Sequence, residues 1–108
     1  MYGCITIDRM KATQIFHEKR IVESRLTDEL AIVELKIWKI PKSRHYQLGR
    51  RFSLFLVVEG RAVLGIDNHS PKGPHLHLGA EEMVYDYQDD QNLLEDFWGL
   101  VRKAGFDP

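Results

Sequence analysis

Two histidines, His75 and His77, close the stretch Asp67-Asn68-His69-Ser70-Pro71-Lys72-Gly73-Pro74-His75-Leu76-His77. On a strand, alternation puts both imidazoles on one face, with Cα atoms roughly 6.5–7 Å apart, and turns Leu76 and Leu78 to the other. Imidazole titrates near neutrality, so such a pair can act as general base and general acid. It can equally chelate a divalent cation with a carboxylate such as Asp67. For RNA cleavage the acid–base version needs no metal. One ring takes the 2′-hydroxyl proton and the other protonates the leaving 5′-oxygen. Lys72, on a loop bounded by glycine and proline, would stabilise charge on the phosphorane. Asp67 would orient one imidazole. Taken alone, a His-x-His pair is also what an exposed strand carries, and Asp67-Asn68 is also what ends a strand and opens a turn.

A second candidate is the loop Ser43-Arg44-His45-Tyr46 with Arg50 and Arg51. Arginine grips phosphate through paired hydrogen bonds and tyrosine stacks on unpaired bases, which suits single-stranded RNA. The plain alternative is a basic connector facing solvent. Trp38, Phe97 and Trp98 read as core aromatics, with a partner-binding groove as the other option.

These groups need a scaffold, and the pattern supplies one. Residues 12–23 read as a strand, with Ile15, His17, Lys19 and Ile21 on one side and Phe16 and Val22 on the other. Residues 24–29 read as a turn. In residues 30–40, Ala31, Val33, Leu35 and Ile37 alternate with Glu34, Lys36 and Trp38, the period of a half-buried strand. Pro41 ends it. Residues 52–58 are nearly all apolar and read as a central strand. Glu59-Gly60 reads as a two-residue hairpin turn. Residues 61–67 return, with Ala62, Leu64 and Ile66 on one face. Residues 75–78 and 83–87 read as short strands. A helix follows, capped by Asp89 or Asp90, with Leu93, Leu94, Phe97, Val101 and Ala104 at helical spacing and Gly105 to stop it. The fold expected is α+β: a mostly antiparallel meander of about five strands, with the C-terminal helix packed on one face.

The chain has 108 residues, which suits one domain, and 44% hydrophobic residues, enough for a core. No apolar run approaches a membrane span. Residues 1–9 carry no basic start followed by an apolar stretch, so no secretion signal is expected, and they read as a loosely ordered extension before a single domain over residues 10–108. The lone cysteine, Cys4, fits a reducing cytoplasm. The net charge is −1, which hides a division: residues 39–51 hold five basic and no acidic residues, and residues 81–96 hold seven acidic and no basic ones.

Several short motifs occur in an order that resembles one family. Met10-Lys11-Ala12 and His17-Glu18-Lys19 with Ile21-Val22 come first. Glu34-Leu35-Lys36-Ile37-Trp38 with Ile40-Pro41 follows, then Ser43-Arg44-His45-Tyr46 and residues 60–68. Lys72-Gly73-Pro74-His75-Leu76-His77 and Leu93-Leu94-Glu95-Asp96-Phe97-Trp98 complete the set. Together they resemble the TumE-type toxins of prokaryotic toxin–antitoxin pairs, from about Met10 to Val101. Pro74 stands where that family usually has aspartate, His69 where it often has glutamate, and Ile66 where it usually has tyrosine.

The resemblance implies a type II toxin whose cognate antitoxin carries a helix-turn-helix DNA-binding domain. The expected activity is metal-independent endoribonuclease action, with His75, His77, Lys72 and Asp67 catalytic and Arg44, His45, Tyr46, Arg50 and Arg51 holding RNA. No cofactor is expected. Two rivals stay open. One is a non-enzymatic toxin that blocks a protein target such as gyrase or the ribosome. The other is a metal-dependent nuclease or nucleotidyl-type enzyme using a divalent ion. A homodimer stays open too, and the basic run 39–51 is the expected dock for an acidic antitoxin tail.

Overall fold

The structure is a computed structural model and describes residues 12–107. The expected extension, residues 1–9, and Cys4 within it lie outside that range. Among these residues seven strands form one sheet: β1 (Thr13–Ser24), β2 (Leu30–Lys39), β3 (Arg50–Val58), β4 (Arg61–Asp67), β5 (His75–Leu78), β6 (Glu81–Val84) and β7 (Phe106–Asp107). Among the described residues a helix, α1 (Asp90–Lys103), precedes β7. The spatial order is β6-β5-β4-β3-β2-β1-β7, and neighbours run antiparallel. The α+β meander is thus as expected, with seven strands rather than about five. The excess comes from very short strands: β7 has two residues, too few for any alternation to register.

Cross-strand register sorts the side chains between two faces. Ala31, Val33, Leu35 and Ile37 of β2 meet Phe52, Leu54 and Leu56 of β3 and Leu64 and Ile66 of β4 on one face, and all are buried. α1 lays Leu93, Phe97 and Val101, one turn apart, on that face, and all three are fully buried. Each such side chain removed from water contributes about 1.5–3 kcal/mol. Asp89 caps the helix by accepting from the Asn92 amide at 2.7 Å. At the other end Arg25, from the β1–β2 turn, donates to the Arg102 carbonyl at 2.8 Å and pairs with Asp107 at 3.0 Å. A cation there complements the helix C-terminus.

Among the described residues no helix packs on the opposite face. His17, Lys19 and Ile21 lie there, opposite Lys36, Glu34 and Ile32. Trp38 is on this face as well, opposite Arg51, and only half-buried. It is therefore not a core residue, whereas Phe97 is and Trp98 packs at the core margin. Two irregularities depart from simple alternation. Ile15 is the extra residue of a bulge in β1. A second bulge at Val63 sets Ala62 opposite Val57, so Ala62 parts from Leu64 and Ile66.

The Glu59-Gly60 turn has positive φ at both residues, 50° and 75°, as a tight hairpin of this kind requires. β6 ends at Val84 rather than 87. Tyr85 and Tyr87 instead reach α1, donating to Asp96 and Asp90, each at 2.6 Å. Burial, then these bonds to carboxylates, push both phenols up, Tyr87 to about 12.

Candidate active site

In the β4–β5 ladder Gly65 faces His77 and Asp67 faces His75. Both imidazoles consequently stand on the face without the helix, while Leu76 and Leu78 pack against the core. Each ring is held by one nitrogen. His75 Nδ1 lies 2.8 Å from the Gly73 carbonyl oxygen. A carbonyl only accepts, so the neutral ring carries its proton on Nδ1 and keeps a lone pair at Nε2. His77 Nε2 lies 3.2 Å from Asp67 Oδ1, which puts its proton on Nε2 and leaves Nδ1 for a ligand. These two side chains are 30% and 24% exposed, accessible but not fully solvated.

Lys72 reaches the same place and pairs with Glu82 at 2.8 Å. Glu82 sits on β6 directly opposite His77. Its hydrogen bond from Lys72 holds its carboxyl below the usual range. Asp67, His69, Lys72, His75, His77 and Glu82 surround one cleft of about 250 Å³. A smaller cleft of about 130 Å³, lined by Arg51, Ser53, Asp67 and His69, lies beside it.

His77 has an aromatic support. The Phe55 ring lies 5.8 Å from it, tilted by 31°. Gly65 stands between them in the register, and a Cβ at Gly65 would come within 2.2 Å of the Phe55 ring. A glycine is needed there so that the ring can cross the strand. Asn68 holds the start of the site loop. It is 3% exposed, accepts from the Phe52 amide at 2.8 Å and donates to the Arg50 carbonyl at 2.7 Å. Its amide thus continues the ladder where β4 stops.

The basic residues of the second candidate region do not stay together. Arg50 belongs to the helix face, where Asp90 accepts from its Nε at 3.1 Å. Arg51 belongs to the open face. Arg44, His45 and Tyr46 line a separate cavity of about 370 Å³ with Pro74, Tyr85 and Tyr87. Pro71 borders both this cavity and the histidine cleft, so the 69–74 loop is the wall between them. The Tyr46 hydroxyl accepts from the Ser70 amide at 3.4 Å, propping that wall from behind. The run 39–51 is therefore not a single basic surface.

A family model described as Toxin TumE matches residues 6–104. The chain belongs to the TumE toxin family. No curated protein and no solved structure matches it. As a TumE-family toxin it is one half of a toxin–antitoxin system and implies a cognate antitoxin. No helix among the described residues is long and apolar enough to cross a membrane.

Within this TumE-family fold, the sequence singled out His75, His77, Lys72 and Asp67, and these four share the cleft. It missed Glu82 and Phe55. Glu82 was accessible by counting: a two-residue turn at Gly79-Ala80 pairs 78 with 81 and 77 with 82. Phe55 looked like any core residue of an apolar strand, and nothing local distinguishes it. As for the rival metal site, no group of three or more histidine, cysteine or carboxylate side chains among the described residues converges to hold an ion.

Proposed function

We propose that this TumE-family toxin is a metal-independent endoribonuclease, acting in the cytoplasm as the toxin of a type II pair whose antitoxin carries a helix-turn-helix domain. The observation that carries the reading is the complementary wiring of the two histidines around one cleft. His75 faces a neutral carbonyl and keeps Nε2 for accepting a proton. His77 faces a carboxylate, so an imidazolium there has its countercharge in Asp67. His75 is accordingly the base and His77 the acid.

In the reaction, His75 Nε2 takes the 2′-hydroxyl proton and the 2′-oxygen attacks the adjacent phosphorus. The bond from phosphorus to the 5′-oxygen breaks, and His77 Nδ1 delivers a proton to that oxygen. The products are a 2′,3′-cyclic phosphate and a 5′-hydroxyl. Lys72 and Arg51 offset charge on the phosphorane. Lys72 must first exchange Glu82 for the phosphate, which an exposed ion pair permits at little cost. Arg44, His45 and Tyr46 would contact flanking RNA on the far side of the 69–74 loop. Arg50, engaged with Asp90, serves the fold.

The test is induced expression of the wild type and of His75→Ala/His77→Ala, with total RNA examined at early times. Growth arrest with discrete cuts that end in a cyclic phosphate, lost in the folded variant, is expected. Arrest with RNA intact, or a variant that remains toxic, overturns the reading and points to a protein target.

A further inference from the structure

Among the described residues α1 covers one side of the sheet and no element packs on the other, the open side, and the charges divide between those sides. Asp86, Asp89, Asp90, Glu95 and Asp96 lie on α1 or its lead-in segment, on the covered side. In the middle of the open side each acid has a partner: Glu34 with His17, Asp67 with His77, Glu82 with Lys72. Lys19, Lys36 and Arg51 are left over, with no ion pair among the described residues. Even with the imidazoles neutral, Lys19, Lys36, Arg51 and Lys72 outnumber Glu34, Asp67 and Glu82 there, so the surplus charge is positive.

Register makes the surplus continuous with the cleft. Lys36, Ser53, Asp67 and His75 lie opposite one another in turn across β2, β3, β4 and β5. Three inter-strand steps of about 4.8 Å separate Lys36 from His75, roughly 14 Å in all. Trp38 and Arg51 form the next row on the same face. Arg51 also lines the small cleft beside the site. A half-buried indole next to two cations, one short span from a candidate scissile position, is what an unpaired nucleic-acid strand stacks on.

Resting on the ribonuclease reading, we infer that the substrate is single-stranded RNA laid across the open sheet face, with Lys36 and Arg51 on its backbone and a base stacked on Trp38. A-form duplex is a poor fit, because its bases are already stacked on one another and give Trp38 nothing to receive. The stretch is selective for strandedness more than for sequence, since every base offers a π-face.

The probe is a short, labelled 2′-O-methyl oligouridine, which lacks the attacking hydroxyl, compared with a 2′-O-methyl duplex of equal length by anisotropy. Unmodified single strand is used in parallel for cleavage. Trp38→Ala is expected to weaken single-strand binding about tenfold, and Trp38→Phe to keep most of it. Lys36→Ala/Arg51→Ala is expected to lower the slope of log Kd against log salt by about 1.4. In a Trp98→Phe background the remaining described indole, Trp38, is quenched on binding. Circular dichroism confirms that each variant folds, and Trp38→Phe carries the test if Trp38→Ala does not. Duplex bound as tightly as single strand overturns the inference. So does unchanged affinity in the folded Trp38 and Lys36/Arg51 variants while His75 and His77 still direct cleavage, and the ribonuclease reading then survives. A wild type that neither binds nor cuts RNA removes both.

Discussion

The ring of Phe55 occupies the space that a side chain at Gly65 would need, and from there it meets the imidazole of His77. The position of a candidate catalytic ring thus depends on a missing Cβ one strand away. Gly65→Ala is expected to drive Phe55 off the strand, since the new atom would fall about 2.2 Å from the ring. Overpacking of this kind costs about 1–3 kcal/mol. The urea midpoint should fall and RNA cleavage should fall with it. Adding Phe55→Ala should restore the midpoint but not the cleavage. If Gly65→Ala alone leaves both at the wild-type level, His77 does not rely on this support.

Asp67→Asn tests the assignment of the acid. The substitution keeps the shape beside His77 Nε2 and removes the negative charge. Cleavage in single turnover is expected to drop about a hundredfold, within the range of general acid–base contributions. Binding of uncleavable RNA should be unchanged or slightly tighter. A cleavage rate within about a factor of two of wild type would remove Asp67 from the mechanism.

Glu82→Gln should release Lys72. The pair is at the surface, so the urea midpoint is expected to stay nearly unchanged. RNA affinity should rise and its dependence on salt should steepen, because another cation becomes available to phosphate. The sign with pH follows from the lowered carboxyl of Glu82. The wild-type pair is intact above the ordinary carboxylate range and is lost as pH falls through the depressed value. Weaker RNA binding by Glu82→Gln at neutral pH would show that Glu82 positions Lys72 rather than restraining it.

Tyr87 makes the fold sensitive to alkali. Burial, and then the bond to Asp90, raise its phenol from 10 to about 12. A raised value in the fold means that the stabilisation is complete below pH 10 and is lost as pH rises towards 12. Stability should decline across that window by about two protons' worth of slope, one from Tyr87 and one from Tyr85, whose phenol is raised as well. Tyr87→Phe should reduce stability at neutral pH by about 1 kcal/mol, the usual net value of one hydrogen bond, and make the alkaline decline about half as steep, leaving the share of Tyr85. Chemical denaturation at several pH values reads both effects, and parallel curves for the two proteins would contradict the assignment.

Much of the scaffold was legible because it rests on local periodicity. The alternation of Ala31 to Ile37, the apolar run of β3, the Glu59-Gly60 turn and the Asp89 cap each declare themselves within a few residues. His75 and His77 share a face for the same reason, since a strand repeats every two residues. Where the reading slipped, the cause was a bulge or a short element. Ala62 changed face through one extra residue at Val63. As a large aromatic Trp38 is expected in the core, yet none of the described residues forms a helix over its face.

The α+β meander, the family motifs, and the grouping of Lys72, His75 and His77 on one short stretch are written in near neighbours along the chain. What surrounds them comes from contacts between residues far apart in it. Cross-strand register brought Asp67 to His77, Glu82 to Lys72 and Phe55 over Gly65. It also sent Arg50 and Arg51 to opposite faces. Those pairings depend on which residue stands opposite which across a sheet, and on which face α1 covers. A single bulge resets both, and neither is encoded at any one position.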